Sequence, residues 1–120
     1  MRRKRFDDRE IYGKMTRAMQ EKQLFLRRDL TRDDLAREVL TNRTYVSRAL
    51  RVRGLSFPQF VNSFRAMYAI DLMSGGPYAD ASPADIAELS GFSSLDTMNR
   101  YIKKSAGTTA CALKVRMAGD

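Results

Sequence analysis

Arginine side chains crowd one short stretch of the sequence, NRTYVSRALRVRG, which begins at Asn42. The stretch contains no aspartate or glutamate, and it holds four arginines, Arg43, Arg48, Arg51 and Arg53. Like charges this close repel one another unless a partner neutralises them. A phosphate group or the edge of a guanine base carries the acceptors that a guanidinium binds as a fork. The stretch therefore predicts contact with such a partner, and a merely solvated charged face is the plainer alternative.

The composition of the whole chain agrees with an anionic partner. Its 120 residues include 22 Lys and Arg against 14 Asp and Glu, a net charge of +8. Such an excess is typical of proteins that bind nucleic acid or a membrane surface. The chain has no histidine and a single cysteine, Cys111, which we expect to be a buried apolar residue. We therefore expect no enzyme activity, no metal site and no cofactor, and no small-molecule site is evident.

A helix-start pattern recurs along the chain and favours an all-α fold. In each copy a Ser, Thr or Asp stands where it can cap a helix, and an Asp, Glu or Gln follows three residues later, where it can complete a capping box. The predicted caps are Asp7, Thr31 with Asp34, Ser56 with Gln59, and Ser82, which precedes Pro83. No long alternation of apolar and polar residues, the signal of a strand, occurs.

The two halves of the sequence resemble each other. The segment DLARE at 34–38 matches DIAEL at 85–89, and VSRAL at 46–50 matches MNRYI at 98–102, at separations of 51 and 52 residues. The one-residue difference falls in the turn between the matched segments, where insertions are tolerated. Each half therefore predicts a helix, a short turn and a second helix, which is a duplicated helix-turn-helix.

These patterns divide the chain into five segments. We predict a basic N-terminal arm at 1–8, a first helix-turn-helix unit with a leading helix at 9–55, a linker helix at 56–74, a loop at 75–82 and a second unit at 83–120. The linker helix carries an apolar stripe of Phe57, Phe60, Val61, Phe64, Tyr68, Leu72 and Met73. Arg65 on that helix is expected to be a structural anchor. The predicted core contains Leu35, Ala36, Val39, Val46 and Leu50 in the first unit, and Ile86, Ala87, Leu89, Phe92, Met98 and Ile102 in the second.

From about Leu24 to Met117 the sequence resembles the DNA-binding domain of the AraC/XylS family of bacterial transcription regulators. The similarity rests on LTRDDLAREV and NRTYVSRAL in the first half and on GLSFPQFVNSFRAMYAIDLM in the middle. In the second half it rests on DIAELSGFSS and MNRYIKKSAGTT. The pair NRTYVSR and FVNSFR is also similar to regulators from Bacteroides-type bacteria.

The resemblance implies that two recognition helices enter successive major grooves of double-stranded DNA. The first would span about Arg43–Val52 and the second about Ser94–Lys103, capped by Asn42 and Ser93. The implied base contacts are Thr44, Ser47 and Arg48 in the first unit and Leu95, Asp96, Asn99 and Arg100 in the second. The implied phosphate contacts are Asn42, Arg43, Arg51, Ser93, Ser94 and Lys103.

The sequence departs from the family pattern at several positions. Leu40 stands where the first turn usually has glycine, so we expect that turn to be reshaped. Pro83 replaces an apolar residue, and Ala110 replaces the proline that usually follows Thr109. Leu95 cannot hydrogen-bond and Asp96 repels phosphate unless it accepts from a cytosine amine, so the second unit is expected to read DNA less well.

The family also suggests partners and a location. RNA polymerase is a candidate second partner, and the sensor or receiver domain that the family normally carries is missing from this sequence. We therefore expect either a fragment or a stand-alone regulator in the bacterial cytoplasm, or the cytoplasmic part of a membrane-anchored one. The rival function is a helical protein-interaction module with weak or no specific DNA binding, in which Leu95 and Asp96 contact the partner.

Overall fold

The computed structural model describes residues 7–107, which form helices connected by short turns and one longer loop. The α-helices are α1 (Asp8–Lys22), α2 (Arg32–Glu38), α3 (Arg43–Val52), α4 (Phe57–Ser74), α5 (Pro83–Leu89) and α6 (Leu95–Ala106), and a 3-10 turn covers Leu24–Leu26. No strand occurs in this part of the chain, which confirms the all-α prediction. Most of the basic arm, Thr109, Ala110 and Cys111 lie outside the described residues, whereas Asp8 already belongs to α1.

The predicted helix starts are formed by reciprocal hydrogen bonds. At α2 the Asp34 N–H donates to Thr31 Oγ1 at 3.1 Å, and the Thr31 N–H donates to Asp34 Oδ2 at 3.0 Å. At α4 the Gln59 N–H donates to Ser56 Oγ at 3.2 Å, and the Ser56 N–H donates to Gln59 Oε1 at 2.8 Å. Each box satisfies two N–H groups that a helix start leaves open. Asp7 and Ser82 cap α1 and α5 as predicted, with Pro83 in the first turn of α5.

The capping box at α2 also favours the charged form of the Asp34 carboxyl group. Hydrogen bonds from the Thr31 backbone and hydroxyl, followed by the charges of Arg27 and Arg37, hold the pKa of Asp34 below its ordinary value. The Arg37 Nη2 lies 2.6 Å from Asp34 Oδ1, and the Arg27 Nη2 lies 3.4 Å from Asp34 Oδ2. These contacts favour the carboxylate form, so the start of α2 keeps its box over the ordinary pH range.

The first compact unit ends at Phe60 and is built on α1, α2 and α3. Helix α1 packs against both other helices through its buried face of Ile11, Met15, Ala18 and Met19. The residues predicted for this core are all buried: Leu35, Ala36, Val39, Val46 and Leu50. The structure adds Leu24, Phe25, Leu30, Ala49 and Phe60 to them. This core positions α3 and leaves its other face exposed.

The second compact unit starts at Val61, so the boundary between the units falls within α4. Its core joins α4 to α5 and α6 through buried Ala66, Ala69, Met73, Ile86, Ala87, Phe92, Met98 and Ile102. The predicted stripe on α4 was wrong in part, because Phe57, Phe64, Tyr68 and Leu72 are only partly buried. Small Ala66 and Ala69 are buried together with Val61 and Met73 of the stripe, and small side chains let packed helices approach closely.

Two polar residues share the buried side of α4. Arg65 and Asn62 are both buried, and the Arg65 Nη1 donates a hydrogen bond to Asn62 Oδ1 at 2.9 Å. This contact gives a buried charge one of the acceptors it requires, which is consistent with the anchoring role predicted for Arg65. Leu89, by contrast, was wrongly predicted as core, since 39% of it is exposed. Leu89 is the last residue of α5.

The turns that end α2 and α5 have the same geometry in the two units. In the first, the Thr41 N–H donates to the Ala36 carbonyl at 2.9 Å, and in the second the Phe92 N–H donates to the Ala87 carbonyl at 3.0 Å. The residue inside each turn is left-handed, with φ +59° at Leu40 and +84° at Gly91. The prediction that Leu40 reshapes the first turn was therefore wrong: the leucine adopts the conformation that glycine adopts in the second.

Candidate nucleic-acid interface

The exposed side of α3 forms the first candidate surface, and the core fixes which residues lie on it. Asn42 starts the helix by accepting a hydrogen bond from the Tyr45 N–H at 3.1 Å. Because Val46, Ala49 and Leu50 are buried, a helical repeat of 3.6 residues turns the remaining positions outward. Thr44 and Arg51 are exposed, whereas Ser47 and Arg48 are half-buried at the edge of that surface. We call Thr44, Ser47, Arg48 and Arg51 the α3 face.

Arg48 is held by residues of its own unit. Its Nε donates to Asp8 Oδ1 on α1 at 3.0 Å, and its guanidinium carbon lies 4.9 Å from the centre of the Tyr45 ring. The Arg48 side chain is 41% exposed, so it still reaches the surface. The sequence indicated no partner for Arg48 within the protein, and the structure supplies one. That partner, Asp8, stands 40 positions earlier in the chain.

Arg43 and Arg53 also have partners that their own stretch of sequence does not contain. The Arg43 Nη1 lies 3.9 Å from Asp33 Oδ2 on α2, and its side chain is 61% exposed. The Arg53 guanidinium carbon lies 3.9 Å from the centre of the Tyr12 ring on α1. Carboxylates of neighbouring helices therefore offset part of the positive charge. The stretch between Asn42 and Gly54 contains no acid, but acids from other helices pair with its arginines.

Helix α6 presents the equivalent surface in the second unit. With Met98 and Ile102 buried, the outward positions correspond to those of the α3 face at the 52-residue separation. Asp96, Arg100 and Lys103 are exposed and Asn99 is half-buried. We call Asp96, Asn99, Arg100 and Lys103 the α6 face. It carries one carboxylate where the α3 face has the hydroxyl of Thr44.

Two of the predicted second-unit residues have structural roles. The predicted cap Ser93 was wrong, because Ser94 caps α6 and accepts from the Thr97 N–H at 3.1 Å. Asn42 and Ser94 are thus equivalent caps, and the extra residue of the second turn, Ser93, lies before the cap. Leu95 is half-buried and packs against the second core, so part of its surface is unavailable to a partner.

The described residues contain neither a cluster suited to a metal ion nor a helix suited to spanning a membrane. Within 7–107, no three His, Cys, Asp or Glu side chains come together in a group that could hold a metal ion. None of the helices in this range is both long and apolar enough to cross a membrane. What the two faces can do is donate hydrogen bonds from arginine, lysine, asparagine and hydroxyl groups at the surface of a short helix. Those are the groups with which proteins contact base edges and phosphates.

Known proteins resemble this chain in both sequence and fold. A helix-turn-helix domain family matches residues 35–114. The TCP pilus virulence regulatory protein from two strains of Vibrio cholerae serotype O1 is 32% identical over 92 residues, covering 73% of this chain. The aligned region is 32% of that relative, so the chain spans about a third of the length of the curated relatives it matches.

A solved structure extends the likeness in fold. The DNA-binding transcriptional dual regulator from Escherichia coli K-12 superposes with a TM-score of 0.72, covering 88% of this chain and 93% of that one. The two sequences are 20% identical, so this likeness concerns the fold.

Proposed function

The chain belongs to the AraC/XylS-type family of helix-turn-helix regulators, and from this membership we propose that it binds double-stranded DNA sequence-specifically to control transcription. The observation that carries the proposal is the pair of equivalent outward faces on α3 and α6. Each lies on the second helix of a helix-turn-helix, the element that enters the major groove in this class of domain. We assign the protein no enzymatic activity, and as a DNA-bound bacterial regulator it would work in the cytoplasm.

The first unit is the stronger reader in this proposal. Thr44, Ser47 and Arg48 contact base edges, and Arg48 has the fork geometry that fits guanine O6 and N7. Asn42, Arg43 and Arg51 contact phosphates and set the position of the helix in the groove. The exposure of Thr44, Arg43 and Arg51 supports these roles, as does the position of Arg48 at the edge of the same face.

The second unit contributes less sequence information. Asn99 and Arg100 are the polar base-reading candidates, while Ser93, Ser94 and Lys103 would contact phosphate. Asp96 selects against nearby phosphate and favours only a base with an amine donor. Leu95 can offer a base at most an apolar edge, because it packs against the core. We therefore expect a well-defined half-site for the first unit and a degenerate one for the second.

On DNA, we expect the recognition helices to occupy successive major grooves. Such grooves are about 34 Å apart along the duplex, so one chain would cover roughly two helical turns. RNA polymerase, and a sensor or receiver domain elsewhere in the regulator, are the further partners that this proposal includes. The rival proposal is a helical protein-interaction module that contacts its partner through Leu95 and Asp96. Packing of Leu95 against the core leaves that surface little apolar area.

Selection from a pool of duplexes with a randomised centre tests the proposed function. We expect one strongly preferred half-site, and Arg48→Ala should cost about 1–3 kcal/mol on it while relaxing preference at one base pair. Arg51→Ala is the matched control, since a lost phosphate contact weakens all duplexes about equally. Equal recovery of all sequences by the unaltered protein would favour the rival module instead.

The Arg48 variant needs a stability check, because Arg48 also pairs with Asp8 and Tyr45. Loss of a partly exposed ion pair costs at most about 1 kcal/mol of folding stability. Thermal unfolding of Arg48→Ala and Arg51→Ala should be recorded, and binding compared at a temperature where both variants are folded. A change in base preference under those conditions reports on recognition.

A further inference from the structure

Asp8 is an acidic residue that reaches the α3 face from outside it. It stands in the first turn of α1, and its Oδ1 accepts from Arg48 Nε at 3.0 Å. The Asp8 side chain is 27% exposed, so the pair is partly shielded from water. Shielding strengthens the attraction between the charges compared with a fully solvated pair. The contact links the start of α1 to the residue proposed as the main base reader.

The guanidinium of Arg48 is constrained from two directions. Asp8 binds it through Nε, and the Tyr45 ring lies against it from within α3. A guanidinium has five N–H donors on three nitrogens, so a bond at Nε is compatible with a second acceptor at the terminal nitrogens. Guanine O6 and N7 form such an acceptor pair. The contact at Nε and the contact with the Tyr45 ring are therefore each compatible with base reading.

Holding Arg48 in advance affects binding in a defined way. A long side chain that becomes ordered only on binding loses conformational freedom at that step, which weakens binding. A side chain already ordered by its neighbours avoids much of this cost. A fixed guanidinium plane also rejects base pairs whose acceptors do not match it. A carboxylate beside the DNA surface, in addition, disfavours phosphate contacts that carry no sequence information.

We propose that Asp8 is a positioning residue that sets the base specificity of Arg48. The inference rests on the proposed function, and it deepens that function by adding a residue of α1 to the recognition of sequence. Asp8 has two simpler roles open to it. As an acid in the first turn it stabilises α1 by interacting with the positive end of the helix dipole. As a negative charge near the α3 face it lowers affinity for every DNA equally.

Asp8→Asn separates these roles, with Glu10→Gln as the matched control. Glu10 is the other acid in the first turn of α1, and its carboxylate pairs with Lys14 at 3.9 Å. Both changes remove one negative charge from the same turn and keep the size of the side chain. The measurement is the affinity ratio between the selected duplex and a duplex altered at the base pair that Arg48→Ala identifies.

We expect Asp8→Asn to lower that ratio by at least about fivefold, at the lower end of what a forked arginine contact contributes. Glu10→Gln should leave the ratio unchanged. In the Arg48→Ala background Asp8→Asn should have no further effect on the ratio, and Asp8→Glu, which keeps the carboxylate, should restore part of it. None of these shifts is expected from a change in helix stability alone.

Two results would overturn the positioning role. One is an Asp8→Asn protein that binds both duplexes more tightly by the same factor, which is the behaviour of a charge that merely repels DNA. The other is an equal loss of ratio in Glu10→Gln. If Arg48→Ala itself leaves base preference intact, the assignment of Arg48 in the proposed function fails together with the role of Asp8. If Arg48→Ala relaxes preference and Asp8→Asn does not, only the role of Asp8 fails.

Discussion

Leu40→Gly should stabilise the first unit. Leu40 has a φ of +59° in the turn after α2, whereas the equivalent turn of the second unit has glycine at +84°. A residue with a Cβ atom in the left-handed region costs roughly 1–2 kcal/mol. The leucine side chain is 88% exposed, so it buries little apolar surface that could offset this cost. Glycine removes the steric cost without removing core contacts.

The expected gain follows from two opposing terms. Relief of the left-handed strain contributes about 1–2 kcal/mol, and the greater freedom of glycine in the unfolded chain costs about 0.5–1 kcal/mol. At the midpoints of the two ranges the difference leaves Leu40→Gly more stable by about 0.75 kcal/mol. For a unit of this size, that corresponds to a rise in unfolding temperature of about 2–8 °C.

Urea unfolding followed by far-ultraviolet circular dichroism measures the change, with Leu40→Ala as the control. Alanine removes the exposed apolar side chain but keeps the Cβ atom, so it should not reproduce the gain. If both variants were stabilised equally, exposed leucine surface and not backbone strain would be the cause. A Leu40→Gly protein less stable than the unaltered one would show that backbone strain at Leu40 does not outweigh the entropy cost of glycine.

Three further predictions concern single side chains. Asp96→Asn should raise affinity for most duplexes, because it removes the carboxylate of the α6 face; unchanged binding in a gel-shift titration would place Asp96 away from DNA. Ser94→Ala should cost about 1 kcal/mol of unfolding free energy and Ser93→Ala much less, since only Ser94 caps α6; equal losses in urea unfolding would contradict this. Because the pKa of Asp34 is lowered in the folded protein, its contribution to stability is fully present above the pKa of the unfolded chain and is lost as pH falls through the lower folded-state pKa. In Asp34→Asn the free energy of unfolding should therefore fall less steeply as pH is lowered. An unchanged pH dependence would show that ionisation of Asp34 does not contribute to stability.

Local features of the fold could be predicted from the sequence because their physics is local. The boxes at Thr31 and Ser56 need only residues three positions apart. Helix α3 spans Arg43–Val52 with Asn42 as its cap, as the family resemblance implied. Most of the predicted core residues follow from the apolar period of the sequence, with Leu89 as the exception. The all-α fold and the family could accordingly be inferred from the amino-acid sequence alone, and both are confirmed.

Features that depend on distant residues were not accessible in the same way. The pairing of Arg48 with Asp8 joins positions 40 residues apart, and no periodicity in the sequence indicates it. The buried face of α4 depends on which neighbours pack there, and it includes Ala66 and Ala69 in addition to Met73 of the predicted stripe. The cap of α6 was misplaced by one residue because the turns of the two units differ in length.

The most direct test of the central claim is a salt series of binding isotherms for the selected duplex and a random duplex of the same length. We predict that both affinities fall as salt rises, because phosphate contacts release counterions. At every salt concentration the selected duplex should bind more tightly, by about a thousandfold where specific contacts dominate. Equal affinity for both duplexes across the series would contradict sequence-specific DNA recognition by this protein.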